Sequence, residues 1–174
     1  MTVWTERSVG RLIVRVLFQR RVLAVPNCTW TGDECDLLVV EPRLRLIDVE
    51  IKVCRADLVA DGRKDKWWRG WTWGAGGRVR GARRTWPQSV WKHYYCLPAE
   101  VWSDGLLDVV SPASGVLVIE TVRAAPRIRV VRRVTANRDA KPISPADCVD
   151  IARLAGLRMW DALAEVDRLR GVVG

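Results

Sequence analysis

Asp48, Glu50 and Lys52 alternate with the apolar residues Ile47, Val49, Ile51 and Val53. Strict alternation predicts a half-buried strand that carries its three charged side chains on one face. A second acid, Asp36, follows a turn signal at Gly32-Asp33 and opens the apolar run CDLLVVE at 35–41. Pro42 and Arg43 then mark a turn, and RLIDVEIKV at 45–53 forms the returning arm of a hairpin. In the usual antiparallel register Asp36 lies near Glu50, so two carboxylates and one ammonium converge within roughly 4–6 Å. Hard divalent cations take oxygen ligands, often one or two carboxylates, with the remaining positions left for water and phosphate. A bound cation acidifies water and stabilises the charge that develops at phosphorus, and a nearby lysine can orient that water. Spacing alone suits this chemistry, and it equally suits a solvated strand face with an incidental ion pair.

Other chemistries are poorly supplied. His93 is the single histidine, which leaves no imidazole cluster for metal or triad chemistry. There is no GxSxG or GxxxxGK(S/T) motif. The five cysteines form no CxxC pair and read as buried free thiols. Metal chemistry would therefore rest on carboxylates, which points to magnesium or manganese. No apolar run approaches the roughly 20 residues of a membrane span, and MTVWTERSVG lacks the order of a signal peptide, so a cytoplasmic location is expected.

The hairpin needs a scaffold. A helix is predicted over 5–21, capped by Thr5, with Val9, Leu12, Ile13, Val16 and Leu17 on one stripe. A short strand ends at Pro26, and a short helix covers about 55–61. Strands follow at 93–98 and 115–120, with an alternating edge strand at 127–134. Ser144-Pro145-Ala146-Asp147 is a helix start, and the helix at about 144–170 carries Ile151, Leu154, Met159, Leu163, Val166 and Leu169 mostly on one side. That stripe suits core packing or a homodimer equally. The expected architecture is one mixed α/β domain, residues 1–174, built on a central sheet.

The formal net charge is +9. Residues 63–92 hold nine of the basic residues against one acid, Asp65, together with six tryptophans. The middle of this window, WGAGGRVRGARR, reads as a loop. Lys64, Lys66, Arg69, Arg78, Arg80, Arg83, Arg84 and Lys92 form the expected phosphate grip, with tryptophans available to stack on unpaired bases. The bland counterpart is a set of core tryptophans beside solvated arginines. His93 reads as a structural, hydrogen-bonded histidine.

GDECD, with EIK following after thirteen intervening residues, resembles the signature of the PD-(D/E)XK nuclease superfamily. DVEIKVCRADLVAD…KW, HYYCLP, GVLVIE, RVVRRV and Asn137 more narrowly resemble a bacterial and phage branch that includes MmcB-like DNA-repair proteins. The resemblance covers about residues 5–137. It implies a restriction-endonuclease-like α-β-β-β-α-β core with a central mixed sheet flanked by helices. It makes Asp36, Glu50 and the Ile51 carbonyl ligands of Mg2+ or Mn2+, Lys52 the catalytic lysine and Glu6 an auxiliary acid. Asp57 and Asp61 match acids that follow the EIK strand, without a mechanism. Cys35 stands where a proline often precedes the first acid, and 69–90 reads as an insertion whose role is not inherited. The expected activity is a metal-dependent deoxyribonuclease acting in repair or phage DNA metabolism. The other reading is a catalytically silent nucleic-acid-binding or assembly module on the same fold.

Overall fold

A computed structural model describes residues 3–74, 76–123 and 125–171. The elements run α1 (Glu6–Leu17), β1 (Leu23–Cys28), β2 (Cys35–Val40), β3 (Leu46–Ile51), α2 (Arg55–Asp61), β4 (Trp71–Gly74), β5 (Gly77–Arg80), β6 (Val90–Pro98), β7 (Gly115–Val122), β8 (Ala125–Arg132) and α3 (Pro145–Leu169). Short 3-10 turns occupy Asp65–Trp67 and Asp104–Asp108. The main sheet has the order β1-β2-β3-β6-β7-β8. β1, β2 and β3 pair antiparallel, β6 lies parallel to β3 and to β7, and β8 closes the edge antiparallel to β7. The class is thus mixed α/β with a six-stranded central sheet.

Apolar patterning explains the layers. Thr5 caps α1 with a capping box, and the helix buries Val9 and Ile13 against Leu37, Val39, Val49 and Ile51. The opposite face of the sheet takes two covers. Ile151 of α3 packs among Val25, Leu38, Val40 and Leu46. Leu58 of α2 and Trp67 of the first 3-10 turn pack among Tyr95, Leu97, Val116 and Val118. Each such fully buried large side chain contributes about 1.5–3 kcal/mol.

Several expectations change. β3 is buried along its whole length instead of being half-wet, because a central strand parallel to β6 is covered on both faces. Helix α1 stops at Leu17, and Phe18 at its C-cap turns into the core. The glycine- and arginine-rich stretch is not a loop: β4 and β5 form a separate two-stranded ribbon, with residue 75 between them outside the described residues. β6 begins at Val90, three residues before the expected start. The apolar stripe of α3 is only partly used, since Ile151 is buried while Met159, Leu163 and Leu169 are exposed. Among the described residues, no helix is long and apolar enough to cross a membrane.

Candidate metal centre and its buried charge cluster

Antiparallel register sets the first pair of carboxylates. Leu37 stands opposite Val49, which brings Asp36 of β2 beside Glu50 of β3. Asp36 Oδ2 accepts from the Ile51 backbone N–H at 2.7 Å and from Lys52 Nζ at 2.8 Å. Lys52 also donates to Glu50 Oε2. Asp36, Glu50 and Lys52 therefore meet at the end of the hairpin, as their spacing predicts, and Ile51 joins them through its backbone N–H.

The face shared by Asp48, Glu50 and Lys52 is not solvated. The segment after α2 folds over it and brings in side chains from distant parts of the chain. Asp61, the last residue of α2, accepts from the Tyr95 hydroxyl at 2.6 Å and from Trp67 Nε1 at 3.4 Å. Lys64 Nζ pairs with Asp61 Oδ1 at 3.0 Å. The Lys66 side chain is 1 % exposed, and its ammonium donates to Glu50 Oε1. Lys66 Nζ also lies 3.5 Å from Asp61 Oδ1 and 3.9 Å from Asp48 Oδ2. His93 is fully buried on β6, with Nδ1 2.8 Å from Ser114 Oγ and Nε2 3.6 Å from Asp48 Oδ2. Its ring packs edge-on against Trp67 and Tyr95.

Burial and charge pull against each other here. Burial pushes the Asp48 carboxyl up to about 6, against the pull of Lys66. Burial likewise pushes Glu50 up to about 7, against Lys66 and Lys52. Asp61 goes the other way: burial raises it, but Lys66, the Tyr95 hydroxyl and Lys52 together hold it below the usual carboxylate range. Burial opposes the charge on Lys52 and Lys66, yet the surrounding carboxylates outweigh it and raise both. Burial, aided by Lys66, keeps His93 neutral, well below its ordinary value.

The donor set suits a hard cation. Lys52 Nζ bonds both Asp36 and Glu50, so the two carboxylates converge on a single ammonium. Asp36, Asp48, Glu50 and Asp61 also outnumber the ammoniums of Lys52, Lys64 and Lys66 that pair with them. Oxygen ligands with surplus negative charge are what Mg2+ and Mn2+ take. A cleft of about 420 Å³, lined by Asp33, Glu34, Arg63, Lys64, Asp65, Lys66 and Arg80, leads to the group.

The expected phosphate grip divides. Lys66 is a correction: it is buried and spent on carboxylates, because Trp67 beside it anchors the segment in the core. Lys92 does not line the cleft. It stacks on Trp91 with its nitrogen 4.1 Å from the ring centroid, near Arg45 and Arg21, which with burial lower its pKa. Arg69, Arg78 and Arg83 are exposed. Arg78 lies over Trp71 at 4.3 Å, Arg80 pairs with Asp65 at 3.3 Å, and Arg84 donates to the Trp68 carbonyl at 2.9 Å. Lys64 reaches the carboxylates from the rim of the cleft. Glu6 and Asp57 are exposed and form no hydrogen bond or ion pair with the group among the described residues.

Sequence reasoning gave Asp48 no role and treated His93 as structural. The alternation of Asp48 with Glu50 was the available signal for the first. Nothing local marks His93, which reaches the site only through the parallel pairing of β3 with β6, opposite Asp48.

No protein-family model and no curated protein matches the chain. Among solved structures, it is similar to SPO1766, a protein of unknown function from Silicibacter pomeroyi, with a TM-score of 0.54 and 16 % identity. The match covers 98 % of this chain and 94 % of that one. At that identity the likeness concerns the fold alone.

Proposed function

We propose that this chain is a metal-dependent nuclease that hydrolyses phosphodiester bonds in DNA, built on a restriction-endonuclease-like core of the PD-(D/E)XK type. The observation that carries the reading is the convergence of Asp36 and Glu50 on Lys52 at the end of the β2–β3 hairpin. The order α1-β1-β2-β3-α2 followed by β6, with β6 parallel to β3, supports it, since the resemblance implies the same α-β-β-β-α-β succession. Asp36, Glu50 and the Ile51 carbonyl would hold Mg2+ or Mn2+. The cation would polarise the phosphate and acidify its water. Lys52 would then turn its ammonium from the two carboxylates toward the attacking water and the phosphate oxygens. The Ile51 N–H keeps Asp36 oriented throughout. Exposed Arg78 of the β4–β5 ribbon, with exposed Arg69 and Arg83 flanking it in sequence, would grip the DNA backbone next to the cleft.

One observation favours a silent binding module instead: Lys52 and Lys66 already satisfy both oxygens of Glu50. A cleavage assay separates the two readings. Wild type, Glu50→Ala and Lys52→Ala are incubated with single-stranded, duplex, flap and four-way-junction DNA in Mg2+, Mn2+ or EDTA. Metal-dependent cutting that both substitutions remove supports the nuclease. Tight, salt-sensitive binding without cutting on any substrate leaves the binding module.

A further inference from the structure

A second donor set lies beside the first and shares only Glu50 with it. Asp48, Glu50 and His93 each offer a ligand atom, and these atoms lie within 4.8 Å of one another. Asp48 Oδ1 and His93 Nε2 are buried and have no hydrogen-bond partner among the described residues. Leaving such groups unpaired in a core is destabilising. Ser114 Oγ stands at His93 Nδ1. With the proton on Nδ1 and donated to Ser114, Nε2 presents its lone pair toward Asp48, as a ligating imidazole does when its other nitrogen is anchored.

A cation is already present at this spot. Lys66 arrives from the Asp65–Trp67 turn, and its ammonium lies among Glu50, Asp61 and Asp48. It leans toward Glu50 and stays 3.9 Å from Asp48, which leaves the His93 side of the set unsatisfied. The neighbours of that ammonium are the carboxylates of Glu50, Asp61 and Asp48, and none of its three donors reaches His93 Nε2. A divalent metal would engage all three residues.

We propose that Asp48, Glu50 and His93 form an inner cation site whose resident cation is the Lys66 ammonium, and that a divalent metal of the Mn2+–Zn2+ class takes the site once that ammonium is removed. The imidazole nitrogen favours that class over Mg2+. In the native chain the tethered ammonium keeps the inner site closed, so only the outer site, at Asp36 and Glu50, is left for a free metal ion. This inference shares Glu50 and the outer site with the nuclease reading, and the Asp36→Asn variant separates the failure of one from the failure of the other.

The test counts bound ions. Mn2+ is titrated into wild type, Lys66→Met and Lys66→Met/His93→Ala, with free Mn2+ followed by electron paramagnetic resonance. Lys66→Met should bind one more Mn2+ per chain than wild type, and the double substitution should lose that gain. With Co2+, Lys66→Met should show d–d absorption that disappears without His93. If burial of the bare carboxylates unfolds Lys66→Met, Lys66→Met/Asp61→Asn keeps the cluster charge and all three donors, and it should show the same gain. Asp36→Asn should delete the outer ion and leave the gain untouched, so failure of the outer site is read separately. A folded Lys66 variant that gains no ion overturns the proposal. So does a wild-type chain that already holds a His93-dependent ion.

Discussion

The charge cluster under β3 and the β4–β5 ribbon both set a cation beside an indole. Lys66 Nζ lies 5.5 Å from the Trp67 ring centroid, and the Arg78 guanidinium lies 4.3 Å from that of Trp71. Both pairs come from one basic, tryptophan-rich stretch of sequence. Trp67 is 1 % exposed and Trp71 on the ribbon is 39 % exposed. In the first region water is excluded, and the cation is tied to carboxylates that would otherwise repel one another. In the second the guanidinium keeps its water and remains available to an anion. Burial separates the two cations: Lys66 is tied to carboxylates, and Arg78 faces solvent.

The contrast can be broken most severely at Glu50. Glu50→Ala should lower metal-dependent cleavage by about 1,000-fold or more, the loss of several kcal/mol of charge stabilisation. DNA binding in EDTA should persist, because the ribbon is untouched. An equal fall in EDTA binding would join the two regions into one surface.

Lys66→Met comes next. Removing one partner of a buried ion pair costs about 3–5 kcal/mol, whereas an exposed Arg78→Ala should stay within about 0.5 kcal/mol. Urea unfolding of the two variants measures the difference. Similar midpoints would mean that Lys66 is not compensating the cluster.

Acidity should affect only the buried region. Burial raises Asp48 and Glu50 to about 6 and about 7, from ordinary values of 3.8 and 4.5. The folded chain therefore holds these protons more tightly than the unfolded chain does. That contribution to stability is fully present below about pH 4 and is lost as the pH rises through about 7. His93, held neutral by burial, contributes the opposite way and adds stability as the pH rises through about 6.5, so melting in EDTA across pH 4–8 reads the sum, and Glu50→Gln should remove part of the declining contribution. Over the same interval Mn2+ affinity should rise as protons stop competing for the carboxylates.

The mildest change is on the ribbon and its base. Replacing Arg78, Arg80, Arg83 and Arg84 together with alanine should weaken DNA binding and reduce the slope of log K against log salt by up to roughly 3 to 4, about 0.9 per phosphate contact. Folding should change little. An unaltered slope would remove these arginines from any DNA interface.

Much of the frame was legible in the order of residues. The Asp36–Glu50 encounter follows from a turn at 42–43 and an antiparallel register, both local consequences of sequence. The capping boxes at Thr5 and Ser144 mark the starts of α1 and α3 by short-range hydrogen bonds. The ribbon was missed because its strands are short and exposed on every residue of β4, so no apolar alternation marks them.

Sequence by itself therefore determined which side chains could share a strand face, since period two is a property of the backbone. It determined the hairpin and the helix starts. Tertiary structure alone decided that this face is dry and that Lys66 belongs to it. It also placed His93 of β6 and Asp61 of α2 around Glu50. The reason is physical: pairing of β3 with β6 joins residues such as Asp48 and His93, far apart in the chain, and the fate of each charge depends on what covers it.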